Sequence, residues 1–439
     1  MSEVILRGGV ILTIDPDSHV ADGDVAVRDG MLVQVGGSYT PETGDYEIID
    51  ARGRVVMPGL VQSHVHMCQT LARGRADGLE LLDWLGRVVW PYEAALEQGD
   101  VAAAARLACI ELLTGGTTAV LDMGTVRHTD ALVEAAQTAG LRATIGKAMM
   151  DAPGVPAGLR EGTAESLAES ARLCRDWHGR AGGRLRYAYA PRFVLSCTDE
   201  LLRQTAVAAR AAGVQVHTHA SENRREIEEV VRQRGADNVV HLHRLGLSGR
   251  DVCLAHCVWL TDAERGVLRE TGTHLLHCPS SNLKLASGIA EVPELLAEGV
   301  SVSLGADGAP CNNNLDGFLE MRLAALVHKP RRGPLAMPAS EVVRMATLGG
   351  ARALGLEAEI GSLEVGKRAD VITVDLGGAH VVPAADPYSA VVYACRSTDV
   401  VDVVVDGRVV VRDRHLLTLD RGAVIADARE RSARVFARL

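Results

Sequence analysis

Hydrophobic and polar positions change their spacing twice along the chain. From Val4 to about Met57, short apolar runs such as VILRGGVILTID are interrupted by Gly and Asp, as the strands of β-hairpins usually are. The same pattern returns from about Ile360 in runs such as VVDVVVDGRVVVRD, and a charged helical pattern follows from about Arg421. These runs predict one small β-sandwich domain built from both chain ends, residues 1–57 and 360–439.

Between these ends, apolar β runs alternate with longer helical patterns such as DVAAAARLACIELLTGG. Repeated βα units predict a parallel α/β domain over residues 58–359. Eight such units favour a (β/α)8 TIM barrel over an open doubly wound sheet, which usually has fewer strands. The β runs are GLVQSHVHM, TTAVLDMG, RATIGKAMM, RLRYAYAPR, VQVHTHASE, VCLAHCVWL, THLLHCPSS and VSVSLGADGAP. None precedes a Gly-rich phosphate fingerprint, so no nucleotide cofactor is expected.

Composition restricts the class of partner. The chain has 439 residues, 47% of them hydrophobic, which is enough to fill a large globular core. Its formal net charge of −10 disfavours binding to nucleic acids or acidic membranes, because both attract basic surfaces. Neither a secretory signal nor a membrane-spanning run is evident, so we expect a cytoplasmic protein that acts on a small molecule. The nine cysteines form no CxxC pair and are expected to be buried apolar residues.

Histidines and carboxylates cluster at the ends of the predicted barrel strands, where barrel enzymes place their chemistry. They are His64 and His66 on the first strand, His219 and Glu222 after the fifth, His256 on the sixth and Asp307 on the eighth. His64 and His66 are two residues apart on a strand, so both side chains should point into the barrel mouth. Three imidazoles and a carboxylate suit Zn²⁺, Fe²⁺ or Mn²⁺, and a fourth histidine and a glutamate then remain for proton transfer.

These motifs resemble the amidohydrolase superfamily. The resemblance rests on PGLVxxHxH at 58–66, HASE at 219–222, the histidine of strand six and the aspartate of GADGAP, and it covers essentially the whole chain. It is strongest for the mononuclear branch of nucleobase and nucleoside deaminases and s-triazine hydrolases. The binuclear branch commonly ends strand four with a carboxylated lysine, whereas RLRYAYAPR contains no lysine.

The resemblance implies a role for each of these residues. The metal ligands would be His64, His66, His219 and Asp307, holding one divalent ion per subunit, with Zn²⁺ as the first choice and Fe²⁺ or Mn²⁺ as alternatives. Glu222 would protonate a ring nitrogen of the substrate, and His256 would orient or polarise the attacking water. The family also implies a homo-dimer or homo-tetramer.

The same residues suggest a chemistry in their own right. A bound metal lowers the pKa of its water from about 15.7 toward about 7, and Asp307 can take the released proton. An amino-substituted aza-aromatic ring becomes electrophilic when Glu222 protonates its neighbouring nitrogen, and ammonia leaves after a second proton transfer. The site therefore predicts hydrolytic deamination of such a ring.

The first βα loop, GLELLDWLGRVVWPYEAAL, bears on which ring is deaminated. Trp84 precedes Glu93 by nine residues, as in deaminases of S-adenosylhomocysteine, methylthioadenosine and 5′-deoxyadenosine, where the acid accepts hydrogen bonds from the ribose hydroxyls. This similarity implies a 5′-modified adenosine or adenosine itself as substrate. Gln69, Arg192 and Phe193 instead resemble the base-reading residues of guanine deaminases, so a free base stays open.

Other interpretations also remain open. A guanine-type deaminase and an s-triazine amino- or chlorohydrolase would use the same metal chemistry, whereas a metal-free scaffold would share only the fold. The presence of every expected metal ligand and of Glu222 in this sequence argues against the metal-free scaffold. Among the remaining histidines, His217 is expected to pack behind the site, His277 to line the pocket or the core, and His241 and His243 to lie on the surface.

Overall fold

The computed structural model describes residues 3–42 and 44–439, and within them eight parallel strands close into a barrel. The first and last strands meet where Asp307 pairs with Val65 and Gly308 with His66. The strands are Leu60–His66, Thr117–Met123, Arg142–Gly146 with Ala148–Met149, Leu185–Pro191, Gln215–Ala220, Val252–His256, His274–His277, and Val302–Leu304 with Asp307–Gly308. The predicted α/β barrel is confirmed.

Helices cover the outside of the barrel, and local sequence explains where they begin and end. Thr198 accepts a hydrogen bond from the Leu201 amide at 3.2 Å, and the helix that it caps ends at Gly213, whose φ of 67° is left-handed. The α-helices are Leu81–Trp84, Trp90–Ala94, Gln98–Thr114, Thr129–Ala139, Thr163–Trp177, Asp199–Ala212, Arg224–Arg234, Asn238–Arg244, Asp262–Thr271, Pro279–Lys284, Val292–Ala297, Ala309–Asn312, Gly317–Leu326, Lys329–Arg332, Ala339–Arg344, Gly350–Ala353, Pro387–Ser389 and Arg421–Ala437. The π-helical turns are Leu85–Val89, Met345–Gly349 and Ala390–Ala394, and the 3₁₀ turns are Met67–Ala72, Ala181–Gly183, Val194–Ser196 and Ser397–Asp399.

Both chain ends contribute to one mixed sheet, which has nine strands in the described part of the chain. The strands are Glu3–Leu12, Val20–Arg28, Met31–Val35, Tyr46–Asp50, Arg54–Pro58, Val371–Asp375, Val400–Val405, Arg408–Arg412 and His415–Leu416. Antiparallel pairing of Arg54–Pro58 with Val371–Asp375 joins the two ends, and apolar side chains such as Leu6, Val27 and Val404 form a core of their own. The β domain predicted from both ends is present, with its strands hydrogen-bonded into a single sheet. The domain limits stay a prediction, since the last helix packs against the barrel helix Gln98–Thr114.

Two expectations from composition concern membranes and cysteines. Within residues 3–42 and 44–439, no helix is both long and apolar enough to cross a bilayer. All nine cysteines are free, and eight of them are buried, as expected of small apolar residues.

A buried ion pair joins the barrel to the sheet. Arg142, which is 1% exposed at the start of the third barrel strand, contacts the Asp370 carboxylate through Nε at 2.8 Å and Nη2 at 2.9 Å. Its Nη2 also lies 3.2 Å from Asp406, in a turn of the sheet. A buried guanidinium needs such partners, because removing them leaves an uncompensated charge in the interior.

We therefore expect Asp370→Ala to lower the free energy of unfolding by about 3 kcal/mol, since Arg142 keeps only the Asp406 contact. Urea denaturation followed by tryptophan fluorescence measures the change. The matched control is Glu200→Ala, which removes an exposed partner of Arg203 and should cost less than about 1 kcal/mol. Equal losses in the two variants would contradict the structural role of the Arg142 pair.

Candidate active site

Four strand-end side chains meet at the barrel mouth. Each of His64, His66, His219 and Asp307 offers one ligand atom, and these atoms all lie within 4.8 Å of one another. His64 and His66 share one side of the first strand because side chains alternate along it. Asp307 adopts a left-handed φ of 62°, and its Oδ1 accepts a hydrogen bond from the Gly308 amide at 2.8 Å.

The Nδ1 atoms of these imidazoles are held by groups behind the site. His66 Nδ1 donates to the Met123 carbonyl at 2.7 Å, and His219 Nδ1 donates to the Arg192 carbonyl at the same distance. A carbonyl can only accept, so both Nδ1 atoms carry the proton and both Nε2 atoms keep their lone pair for a metal. His64 Nδ1 lies 2.7 Å from Nε2 of His217, which therefore packs directly behind the donor set.

The charges of the group also suit a cation. Burial lowers the pKa of His66 to about 3 and lowers the pKa values of His64 and His219, which favours the neutral form of these rings. Burial opposes ionisation of Asp307, but contacts with His64 and the neighbouring rings outweigh it and hold the pKa of the carboxyl well below its usual range. His64 Nε2 is buried and lies 3.3 Å from Oδ1 of Asp307 without hydrogen-bond geometry, an arrangement in which both atoms can face one metal ion.

Glu222 and His256 adjoin these donors. Oε2 of Glu222 lies 3.5 Å from Nε2 of His256, which is 3.9 Å from Oδ2 of Asp307. Burial raises the pKa of Glu222 to about 7, so its carboxyl can carry a proton near neutrality. The structure thus brings together a candidate metal donor set and a buried carboxyl whose pKa lies near neutrality.

The segment after the seventh strand supplies partners that sequence reasoning missed. Ser281 Oγ donates to Oδ2 of Asp307 at 2.6 Å, and Oδ1 of Asn282 lies 2.9 Å from Nδ1 of His256. The signal was the run of small polar residues in CPSSN, placed immediately after a buried strand. Such residues typically orient the groups that act on the substrate.

Two further glutamates fix the turn that carries Glu222. The Glu222 amide donates to Glu226 Oε2 at 3.0 Å, and Ser221 Oγ donates to Glu264 Oε1 at 2.9 Å. Burial and the neighbouring Glu222 raise the pKa of Glu226 to about 8. The sequence shows Glu226 only as an ordinary residue of the first helical turn, so its position beside the site was not anticipated.

The donor set opens onto a small cavity of about 30 Å³, enough for one or two water molecules. It is lined by His66, Leu81, Trp84, Leu85, Arg192, Phe193, His219, Glu222, Glu226, His256, Leu285 and Asp307. Three of the proposed substrate residues, Trp84, Arg192 and Phe193, lie in its wall. The other two, Gln69 and Glu93, lie in the layer behind Arg192.

Residues 76–94, the covering segment, close this cavity. Their inner face places Trp84 and Leu81 in an apolar cluster with Phe193 and Leu285. Their outer face is attached by exposed ion pairs. Arg225 Nη1 lies 3.0 Å from Glu80 and 2.9 Å from Asp83, and Lys284 Nζ lies 2.6 Å from Asp77.

The remaining histidines lie outside the cavity. The expected surface position of His241 is wrong: it is 6% exposed and its Nε2 lies 2.9 Å from Asp199, because its side of the helix Asn238–Arg244 faces the barrel. His243, on the opposite side, is exposed as expected. His277 packs in the core near His328, with ring centroids 6.3 Å apart.

The fold and the donor set define a barrel protein with a candidate His/His/His/Asp metal site at the carboxyl ends of its strands. More particularly, the chain belongs to the amidohydrolase family, whose sequence pattern matches residues 55–410. The resemblance seen in the sequence is thereby confirmed.

Individual relatives match over their full length. A 5′-deoxyadenosine deaminase of Methanosarcina mazei is 40% identical over 441 residues, covering 100% of both chains. A 5-methylthioadenosine/S-adenosylhomocysteine deaminase of Syntrophobacter fumaroxidans is 41% identical over 432 residues, covering 98% of this chain and 97% of the relative. The crystal structure of an adenosine deaminase from Xanthomonas campestris with bound zinc has a TM-score of 0.91 at 33% identity, covering 99% of this chain and 98% of that one.

The donor geometry predicts that His219→Ala loses most of the bound metal, because the three remaining groups leave a position that water must fill. Elemental analysis of the purified protein measures the metal content. The matched control is His274→Ala, a buried histidine at the opposite end of the barrel whose ring contacts Ser301 and the Arg250 carbonyl. Unchanged metal content in His219→Ala would remove this residue from the donor set.

Proposed function

We propose that the chain is a metal-dependent aminohydrolase that removes the purine amino group of a 5′-modified adenosine, releasing ammonia and the inosine analogue. Candidate substrates are 5′-deoxyadenosine, S-adenosylhomocysteine, methylthioadenosine and adenosine. One observation carries the proposal: a buried Glu222 with a pKa of about 7 adjoins His256 and the His/His/His/Asp group. The deaminase names of full-length relatives support the choice of reaction.

His64, His66, His219 and Asp307 would hold one divalent ion per subunit. Zn²⁺ is the first choice, supported by the zinc in the related adenosine deaminase structure, and the same donors suit Fe²⁺ or Mn²⁺. Such an ion, when bound, lowers the pKa of water and makes it nucleophilic at neutral pH.

The side chains of this protein then divide the proton transfers between them. Glu222 donates a proton to the ring nitrogen beside the amino-bearing carbon, which makes that carbon electrophilic. His256 orients the attacking water, with its ring held by Asn282. Asp307 accepts one proton from that water and passes it to the departing amine, and the second proton of the water returns to Glu222 as the ring carbonyl forms, so that ammonia leaves as a neutral molecule.

The proposed substrate-binding set is Gln69, Trp84, Glu93, Arg192 and Phe193. Trp84 and Phe193 offer apolar faces to a purine, and Arg192 offers N–H donors to its acceptor atoms. A nucleoside is larger than the present cavity of about 30 Å³, so its binding would require movement of the covering segment, which is attached by exposed ion pairs.

The metal-free scaffold is disfavoured as an alternative, because the donor set and Glu222 converge in one buried place. A homo-dimer or homo-tetramer stays a proposal that rests on the family resemblance alone, and the cytoplasmic location expected from the sequence stays a proposal as well.

An ammonia-release screen tests the proposal. The purified, metal-loaded protein is assayed with 5′-deoxyadenosine, methylthioadenosine, S-adenosylhomocysteine, adenosine, guanine and an aminotriazine. We expect the highest kcat/KM among the 5′-modified adenosines. Preferential turnover of guanine would favour the base-reading interpretation of Gln69, Arg192 and Phe193, and preferential turnover of the triazine would favour the s-triazine hydrolases.

Glu222→Gln should keep fold and metal but lower kcat by about 10²- to 10⁴-fold, since glutamine has the same size and cannot transfer the proton. Steady-state kinetics and metal analysis together measure this. Glu228→Gln is the matched control, because it makes the same chemical change at an exposed position on the following helix. A Glu222→Gln variant with normal kcat would eliminate Glu222 as the acid.

A further inference from the structure

The two carboxyl oxygens of Glu222 have different neighbours. Ser287 Oγ donates to Oε1 at 3.4 Å, whereas Oε2 lies 3.5 Å from Nε2 of His256. Because Oε1 already accepts from a hydroxyl, the transferable proton of the carboxyl is favoured on Oε2. Ser287 is 2% exposed and does not line the cavity, so it reaches the acid from behind the surface that the substrate meets.

A tight turn after the seventh barrel strand places Ser287. The Asn282 carbonyl accepts from the Ser287 amide at 2.8 Å and from the Gly288 amide at 3.3 Å. Within the turn, Ala286 has a left-handed φ of 53°, which a residue other than glycine keeps only where its surroundings hold it. The position of the Ser287 hydroxyl therefore depends on contacts made to this turn from outside.

Trp259 supplies such a contact. Its Nε1 donates to the Ser287 carbonyl at 2.6 Å. A Cβ atom on Gly288, whose φ is 133°, would lie 2.7 Å from Cζ2 of the indole, so glycine is needed for this approach. Arg224, the first residue of the helix that follows Glu222, places its Cζ 3.8 Å from the centroid of the indole. Trp259 lines an open groove of about 590 Å³ and is absent from the cavity wall.

These contacts form a closed circuit around the catalytic acid. It runs from Glu222 along the chain to Arg224 and across to the indole of Trp259. From there it passes through the carbonyl and the hydroxyl of Ser287 back to Glu222 Oε1. The carboxyl is thus held from both its backbone and its tip. Proton transfer depends strongly on such placement, since a shift of about 1 Å can cost about 10²-fold in rate.

We propose that Trp259 and Ser287 are positioning residues for the acid: Trp259 holds Ser287, and the Ser287 hydroxyl orients the Glu222 carboxyl toward the ring nitrogen. This inference rests on the proposed deamination and extends it to residues outside the cavity wall. It applies to whichever ring the site accepts, because neither side chain faces the substrate.

Steady-state kinetics of Ser287→Ala and Trp259→Phe, with the best substrate from the ammonia-release screen, test the proposal. Each variant should lower kcat by about 10-fold, because one hydrogen bond that orients the acid is lost. KM should change by less than about 2-fold, since no contact with the substrate is removed. Phenylalanine keeps an aromatic ring beside Arg224 and Gly288 and removes only the donor. A raised KM with unchanged kcat would place these side chains at the substrate and overturn the proposal.

Two double-mutant cycles test whether the residues act in series. Combining Ser287→Ala with Trp259→Phe should lower kcat no more than the worse single variant does. Neither substitution should lower the kcat of Glu222→Gln any further, because that variant has no transferable proton to orient. Additive losses in either cycle would show that the two residues act on something other than Glu222.

Trp177→Phe and Ser397→Ala are the matched controls. Trp177 Nε1 donates to Asp130 at 2.7 Å and Ser397 Oγ donates to Asp316 at 2.6 Å, both outside the cavity. Both controls should keep the wild-type kcat, and the two test variants should keep the wild-type metal content. Equal losses of kcat in the controls would contradict the inference.

The wild type separates the two levels of the argument. Inactivity toward every compound of the screen would overturn the proposed function and this inference together. An active wild type, with normal kcat in both Ser287→Ala and Trp259→Phe, would overturn the inference alone.

Discussion

Three imidazoles and a carboxylate share a buried space in which their ligand atoms lie within 4.8 Å of one another. Burial lowers the pKa values of the rings and favours their neutral form, whereas the pKa of Asp307 is held well below its usual range, so the group favours a cation. The rest of the site depends on this balance. The carbonyls of Met123 and Arg192 keep the protons on the far side of two rings, and Ser281 donates to the carboxylate.

Much of this arrangement could be predicted from the sequence, because it follows from the alternation of side chains along a strand and from the order of the strands in the barrel. His64 and His66 share a face by the alternation of a strand, and parallel strands bring their carboxyl ends to one edge. Asp307 could be placed in the same way, since it ends the eighth apolar run. The β domain could also be predicted, because both chain ends contain short apolar runs interrupted by Gly and Asp, as in β-hairpins.

Other features depend on contacts that no local pattern encodes. Glu93 and Arg192 are 99 residues apart, one in the helix Trp90–Ala94 and the other directly after the fourth barrel strand, so their pairing emerges only when the barrel closes. The burial of His241 depends on which side of a short helix faces the barrel. The polar residues around it in the sequence predicted an exposed position instead. The single mixed sheet likewise depends on the register between Arg54–Pro58 and Val371–Asp375, which are separated by the whole barrel.

Arg192 contacts both the candidate metal donors and the cavity, through two separate parts of the residue. Its carbonyl accepts from His219 at 2.7 Å, and this contact depends on the backbone at the end of the fourth strand. Its guanidinium faces the cavity and Glu93, and this contact depends on the side chain. A substitution at position 192 can therefore change the cavity wall while leaving the carbonyl that holds His219 in place. In a barrel built this way, the strand backbones can hold the candidate metal donors while the side chains around the cavity vary, so relatives that act on different rings can keep one set of donors.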